Sequence, residues 1–236
     1  MSAPAWSDHF APAHLEPVES PWHVERDWAW GGSTGEGVRV AVVDSGVDPD
    51  HPHVHGAVDE WASFRDGPTS GEPHGDPAGH GTACADAIRV LAPRARLLSV
   101  QILGANACGR GTALLDGLAW AIERRPDVVN LSLGTPRRDL WPRVQELLDE
   151  AWFRGIVVVA ALSNRPIETR PAHSASVISV ATHTRARGYD PFEFYVNPTA
   201  PPEFGAPGFR VELANGRREV VPVTGNSFAA AHLAGH

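Results

Sequence analysis

The chain has 236 residues, enough for one domain with a sizeable core. With 42% hydrophobic and 20% charged residues it has the balance of a soluble globular protein, and no apolar run approaches the length that crosses a bilayer, which excludes disorder and a membrane span. The net charge of -8, with all 20 basic residues being scattered arginines, offers no footprint for nucleic acid.

Residues 1–35 are rich in Pro, Trp and His without periodicity and read as an arm packed on a domain that begins at 36. The opening MSAPAWSDHFAPAHLEP has neither the basic start nor the apolar core of a secretory signal, which points to the cytoplasm, with secretion left open if a segment precedes it. Two cysteines, Cys84 and Cys108, are too sparse for a disulfide scaffold and are expected as free thiols. VRVAVVDSG (38–46) is a buried strand running into a tight turn. DHPHVH, with His51, His53 and His55, reads as a solvated loop without the further ligand that a metal site needs. A helix follows from His80 to Val90, then a strand at LLSVQIL (97–103), a helix over Thr112–Arg124 and a strand at DVVNLSL (127–133). Val144, Leu147, Leu148 and Ala151 share one face of a helix over Leu140–Arg154, before strands at GIVVVAAL (155–162) and ASVISVAT (175–182). Strands alternating with helices predict an α/β fold, a three-layer α/β/α sandwich with a mostly parallel central sheet. In such sheets ligands bind beyond the carboxyl ends of the strands. The eight tryptophans read as core and arm packing.

Polar groups collect at those ends. Asp44 closes the first strand, Asn164 follows another, His80 sits between Gly79 and Gly81 at a helix start, and Ser227 opens the terminal helix. Taken alone, Ser227 is a favoured N-cap, Asp44 a turn residue and Asn164 a strand end. Taken together they supply what a serine nucleophile needs: a base in reach, an acid that fixes the base's tautomer, and donors for the oxyanion. Cys84, one helical turn after His80, reads as a small buried apolar residue.

The blocks AVVDSGVD, GHGTACA, DVVNLSLG, VVVAALSN and GNSFAAAHLAG, in that order, resemble the sequence blocks of the subtilisin family of serine proteases over roughly residues 22–236. The resemblance implies that Asp44 orients the base, His80 is general base and acid, Ser227 is the nucleophile and Asn164 an oxyanion donor, with no cofactor. It implies that a peptide substrate lies as an added strand between Ala107-Cys108-Gly109 and Ser132-Leu133-Gly134, with Gly111, Leu114 and Leu133 lining a roomy apolar fourth pocket. Departures carry expectations too. Asn226, Phe228 and Ala231 stand where the family has Thr, Met and Pro, and Ser163 replaces a glycine beside the primary pocket. Arg165 biases that pocket's rim toward acidic groups. The helix after His80 reaches Pro93 with no room for the family's calcium loop, and His53 replaces an acidic ligand, so no metal is expected. The family's serine helix also runs past His236, which implies either further C-terminal structure or a short domain.

The resulting expectation is a serine endopeptidase acting through an acyl-enzyme, with specialisation for a peptide precursor as its narrower form. Two alternatives stay open: a non-catalytic binding module for a peptide or partner, and a transpeptidase that shares the acyl-enzyme.

Overall fold

The computed structural model describes residues 4–14, 31–183, 190–197, 201–214 and 217–236. Most of the expected arm, residues 15–30, lies outside them.

The first strand, β1 (Arg39–Asp44), is buried along nearly its whole length because both of its faces are covered. Val40 and Val42 point into one apolar layer and Ala41 and Val43 into the other, so the run is continuously apolar rather than alternating. Its parallel neighbours are β4 (Arg96–Gln101) and β5 (Val128–Leu131). Beyond β5 lie β6 (Val157–Ala161), β7 (Ile178–Thr182) and β9 (Phe204–Ala206), all parallel. On the other side β2 (Val58–Ser63) pairs in parallel with β4. Two short antiparallel strands, β3 (Thr69–Ser70) and β8 (Tyr195–Val196), close the edges, giving the order β3-β2-β4-β1-β5-β6-β7-β9-β8. This is the expected mostly parallel three-layer sandwich.

Helices α1 (His80–Leu91) and α4 (Asn226–Gly235) cover one face, packing Cys84, Ile88 and Phe228 to Ala231 against Val40, Val42 and Val159. On the other face lie α2 (Gly111–Glu123) and α3 (Trp141–Phe153), which bury Leu118, Ile122, Leu147 and Leu148 against Leu98, Val129 and Leu131. Each such fully buried leucine or isoleucine contributes on the order of 1.5–3 kcal/mol. The three sequence-expected helices match α1, α2 and α3 to within a residue at either end.

The short β2, β3, β8 and β9 and an antiparallel hairpin of β10 (Phe209–Ala214) with β11 (Arg217–Thr224) were not legible in the sequence. β2 explains why. Its sequence VDEWAS is only partly buried, so it carries neither the continuous apolar run of β1 nor clean alternation. Register matters most for the site. Asp44 lies level with Gln101, Val43 with Leu131 and Leu131 with Ala160, so the carboxyl ends of β1, β4, β5 and β6 form one rim.

Candidate active site

Asp44 is the last residue of β1 and is fully buried. Its Oδ1 accepts the Ser45 backbone N–H at 2.7 Å and the His80 Nδ1–H at 2.8 Å. A carboxylate accepts only, so this contact assigns the proton to Nδ1 and leaves Nε2 as the acceptor a general base requires. His80 is the first residue of α1, and Gly79 before it holds the left-handed φ of 67°. Gly81 after it lets helix and strand meet: a Cβ there would sit 2.1 Å from the Gly46 carbonyl oxygen.

Sequence reasoning missed Asp76. Its Oδ1 accepts the N–H groups of Ala78 and Gly79 at 3.1 and 2.9 Å and the Ser45 hydroxyl at 2.7 Å. Its Oδ2 accepts the N–H and hydroxyl of Thr82 at 2.8 and 2.7 Å. Asp76 therefore caps the helix that begins with His80, satisfying orphan N–H groups and setting a negative charge at the positive helix end. Ser45, bonded to Asp76 and accepting the Gly81 N–H at 3.0 Å, ties the cap to the loop after Asp44. An acid four residues before a helix-starting histidine was the signal available. Burial of the imidazole works against its charged form, but the charge and hydrogen bond of Asp44, with Asp76 behind, outweigh burial and a nearby Arg210. The His80 pKa is raised above its ordinary value as a result.

Ser227 lies in the first turn of α4, whose N-cap is Gly225 in an extended conformation. The N-cap position belongs to Gly225, two residues earlier, so the N-cap reading of Ser227 is wrong. Its hydroxyl instead donates to the Ser132 carbonyl oxygen at 2.8 Å, and among the described residues no hydrogen bond joins it to His80. The His80 ring lies beside Phe228, the next residue, at 5.4 Å between centroids. Asn164 follows β6 at the surface. Its Oδ1 accepts the Asn226 backbone N–H at 2.9 Å, which assigns the amide's orientation and leaves Nδ2 as a donor. Asn164 Nδ2 and the Ser227 backbone N–H, which has no helical carbonyl behind it, are the donors an oxyanion would find here.

A cavity of about 250 Å³ adjoins these groups. It is lined by Ser132, Leu133 and Gly134 beyond β5, residues 161–164 at the end of β6, and Ile167, Thr169 and Ser227; none of its lining residues is charged. A two-way backbone bridge closes the segment after Asn164 onto the β5 side: Thr135 N–H to Arg170 O at 2.8 Å, and Arg170 N–H to Thr135 O at 3.0 Å. The bridge sets the segment after Asn164, with Ile167 and Thr169, as one wall of the cavity. Ala107, Cys108 and Gly109 lie in an exposed turn where Gly104 N–H donates to Cys108 O at 2.9 Å. Gly111 packs on Leu140, whose Cδ1 is 2.2 Å from where a Cβ would be, and Leu114 is buried in the core, so Leu140 takes up space where room was expected.

Cys84 and Cys108 are free thiols, the first buried and the second exposed. Cys84 donates to the Ser132 hydroxyl at 3.3 Å, and burial, with Asp44 nearby, pushes its pKa well up, which keeps the thiol protonated and inert. The histidine run behaves differently from a solvated loop. His53 Nδ1 pairs with Oδ1 of the buried Asp86 at 2.6 Å, and Arg89 Nε donates to the His53 carbonyl at 2.6 Å, so this loop is fastened to α1.

The profile of the subtilase family matches residues 35–236. The chain belongs to the subtilase family. This subtilase is 29% identical to thermitase from Thermoactinomyces vulgaris over 91% of its own length and 78% of that protein's. It is 32% identical to subtilisin Savinase from Lederbergia lenta, covering 91% of this chain and 81% of Savinase. Against an alkaline protease of Alkalihalobacillus alcalophilus it is 32% identical but spans 58% of that protein's length. Among solved structures, a lanthipeptide protease superposes with a TM-score of 0.68 at 20% identity, covering 88% of this chain and 74% of the other. Sphericase gives the same TM-score at 20% identity, with 86% and 76% covered. At that identity the likeness is one of fold.

Proposed function

We propose that this subtilase is a serine endopeptidase that hydrolyses peptide bonds through an acyl-enzyme on Ser227. The observation that carries it is the 2.8 Å Asp44–His80 hydrogen bond, with the imidazole against Phe228, the residue after Ser227, while Ser227 and Asn164 together line an uncharged cavity. In the reaction, a substrate carbonyl is seated over Ser227 and the serine hydroxyl turns from the Ser132 carbonyl to His80 Nε2. His80 takes the proton as the oxygen attacks, Asp44 stabilises the imidazolium, and Asn164 Nδ2 with the Ser227 N–H receives the oxyanion. His80 then protonates the leaving amine. Water, activated by the same histidine, resolves the ester.

Within that reading we place the enzyme in the processing of a peptide precursor. The small cavity without charged lining favours one uncharged side chain before the scissile bond, and a fold neighbour is a lanthipeptide protease. A peptide library and denatured casein, each digested by the protein and by Ser227→Ala, test both levels. Cleavage after a few uncharged residues, absent with Ser227→Ala, is the expected result. Casein cut at every kind of bond contradicts the specialisation, no cleavage at all contradicts the peptidase, and products lacking the added water reassign the enzyme to transpeptidation.

A further inference from the structure

Asn226 immediately precedes the nucleophile, is fully buried, and has every side-chain atom engaged. Its Oδ1 accepts the Thr182 N–H at 2.9 Å at the end of β7. Its Nδ2 faces the carbonyl oxygens of Leu162 at 3.1 Å, Ser163 at 3.2 Å and Ala5 at 3.3 Å. The amide thus joins the nucleophile's turn to the ends of β6 and β7, and also to the N-terminal segment. Asn164 is gripped from the same two places. The Asn226 N–H holds its Oδ1 at 2.9 Å, and the Ala5 N–H donates to its backbone carbonyl at 3.2 Å.

The N-terminal segment is itself anchored. A 3-10 turn over Ser7–Phe10 puts the fully buried Phe10 ring on Gly205, where a Cβ would lie 2.5 Å from the ring. Trp6 adopts a left-handed φ of 74°, which a non-glycine residue holds only where its surroundings compel it. Its ring meets His173 edge-on at 5.8 Å, and His173 belongs to the segment that closes the cavity, with Nδ1 bonded to the Thr169 carbonyl at 3.0 Å.

We propose that Ala5 and Asn226 are positioning residues for the oxyanion donor, making residues 4–10 a working part of the active site rather than a covering arm. Ala5 fixes the main chain of Asn164, the Asn226 side chain anchors the turn whose backbone N–H fixes the Asn164 side-chain rotation, and Nδ2 is thereby aimed before substrate arrives. This rests on the peptidase reading above. A displacement of about 1 Å in such a group costs on the order of 100-fold in rate.

The test is turnover per active site, counted with a titrant of Ser227, together with affinity for a peptide boronic acid that mimics the tetrahedral intermediate. Two variants serve: Asn226→Ala, which keeps the backbone N–H on Asn164 but removes the side chain that anchors that N–H to Thr182, Leu162, Ser163 and Ala5, and Ala5→Pro, which deletes the N–H bonded to the Asn164 carbonyl and keeps the Ala5 carbonyl. We expect kcat per titrated site to fall about 10- to 100-fold in Asn226→Ala and several-fold in Ala5→Pro. KM should stay within about twofold, with boronic acid affinity falling in step with kcat. A purely structural role would lower the number of titratable sites and leave kcat per site untouched, and that result overturns the proposal; so does a loss confined to KM. If Asn226→Ala fails to fold, Ala5→Pro decides alone. Absence of turnover in the unaltered protein fails the peptidase reading itself, whereas failure of the positioning claim appears only in the variants.

Discussion

The two halves of the site stand in different states of readiness. The acid–base half is assembled: Asp44, Ser45, His80 and Asp76 form one bonded group that fixes the imidazole's tautomer and orientation. On the nucleophile half the oxyanion amide is held, while the Ser227 hydroxyl remains committed to the Ser132 carbonyl. The base is fixed by folding itself, because its partner Asp44 is buried at the end of β1 and Asp76 holds the start of its helix. Leaving the hydroxyl on a carbonyl makes its engagement conditional on a substrate that claims that carbonyl, which is the kind of edge contact an added strand makes.

The contrast is sharpest where the held groups on each side are removed in turn. Asn164→Ala has the largest expected effect, a fall of about two to three orders of magnitude in kcat with KM little changed, the magnitude known for removal of the equivalent amide in subtilisin. Steady-state kinetics on a single cleavable peptide checks it; a change only in KM would mean that Asn164 binds ground state and transition state alike.

Asp76→Asn comes next and probes the other half. In the proposed mechanism neutral His80 is the base, so activity should rise with pH through the His80 pKa, which Asp44 and Asp76 hold above the ordinary 6.5. Removing the Asp76 charge lowers that pKa. The acidic limb of kcat/KM should therefore move to lower pH, leaving rates several-fold higher on the acid side and little altered on the alkaline plateau. An acidic limb that stays in place would show that Asp76 acts on the helix end alone.

A further prediction concerns stability rather than rate, in the helix behind the nucleophile. His232 in α4 is fully buried, and burial, partly offset by the carbonyls of Phe228 and Pro207, lowers its pKa to about 4. The unfolded chain binds a proton there below about 6.5 and the folded chain only near 4, so this residue withdraws stability as pH falls between those values, by roughly 3 kcal/mol in full. His232→Leu should flatten that loss in thermal melts followed from pH 7 to pH 4, leaving stability at pH 7 changed mainly by the lost hydrogen bond to Phe228. Equal acid sensitivity in both proteins would show that the burial of His232 does not set it.

The parts of the fold and site that could be read from the sequence are those written in local patterns. β1 and β4 to β7 were legible because strands covered on both faces are continuous apolar runs, and the helices because apolar residues recur on one side. Asp44, His80, Asn164 and Ser227 could be nominated as candidates because each sits at or near an element boundary within a short motif. What stayed hidden depends on distant partners. Asp76 looks like a loop acid until α1 is seen to begin on it, and Asn226 looks like a substitution until Ala5, Leu162 and Thr182 are found around it. His53 read as a solvated loop residue because its partner Asp86 lies 33 residues away. The hydroxyl of Ser227 read as a cap because the Ser132 carbonyl that claims it lies 95 residues earlier.

The most direct test of a ready base and a conditional nucleophile is the rate of phosphonylation of Ser227 by a fluorophosphonate as a function of pH, with the adduct located by mass spectrometry. The account predicts a single adduct on Ser227, formed along a titration curve with its midpoint above 6.5, and reduced by orders of magnitude in His80→Ala. An adduct elsewhere, or one on Ser227 that forms equally fast without His80, would contradict it.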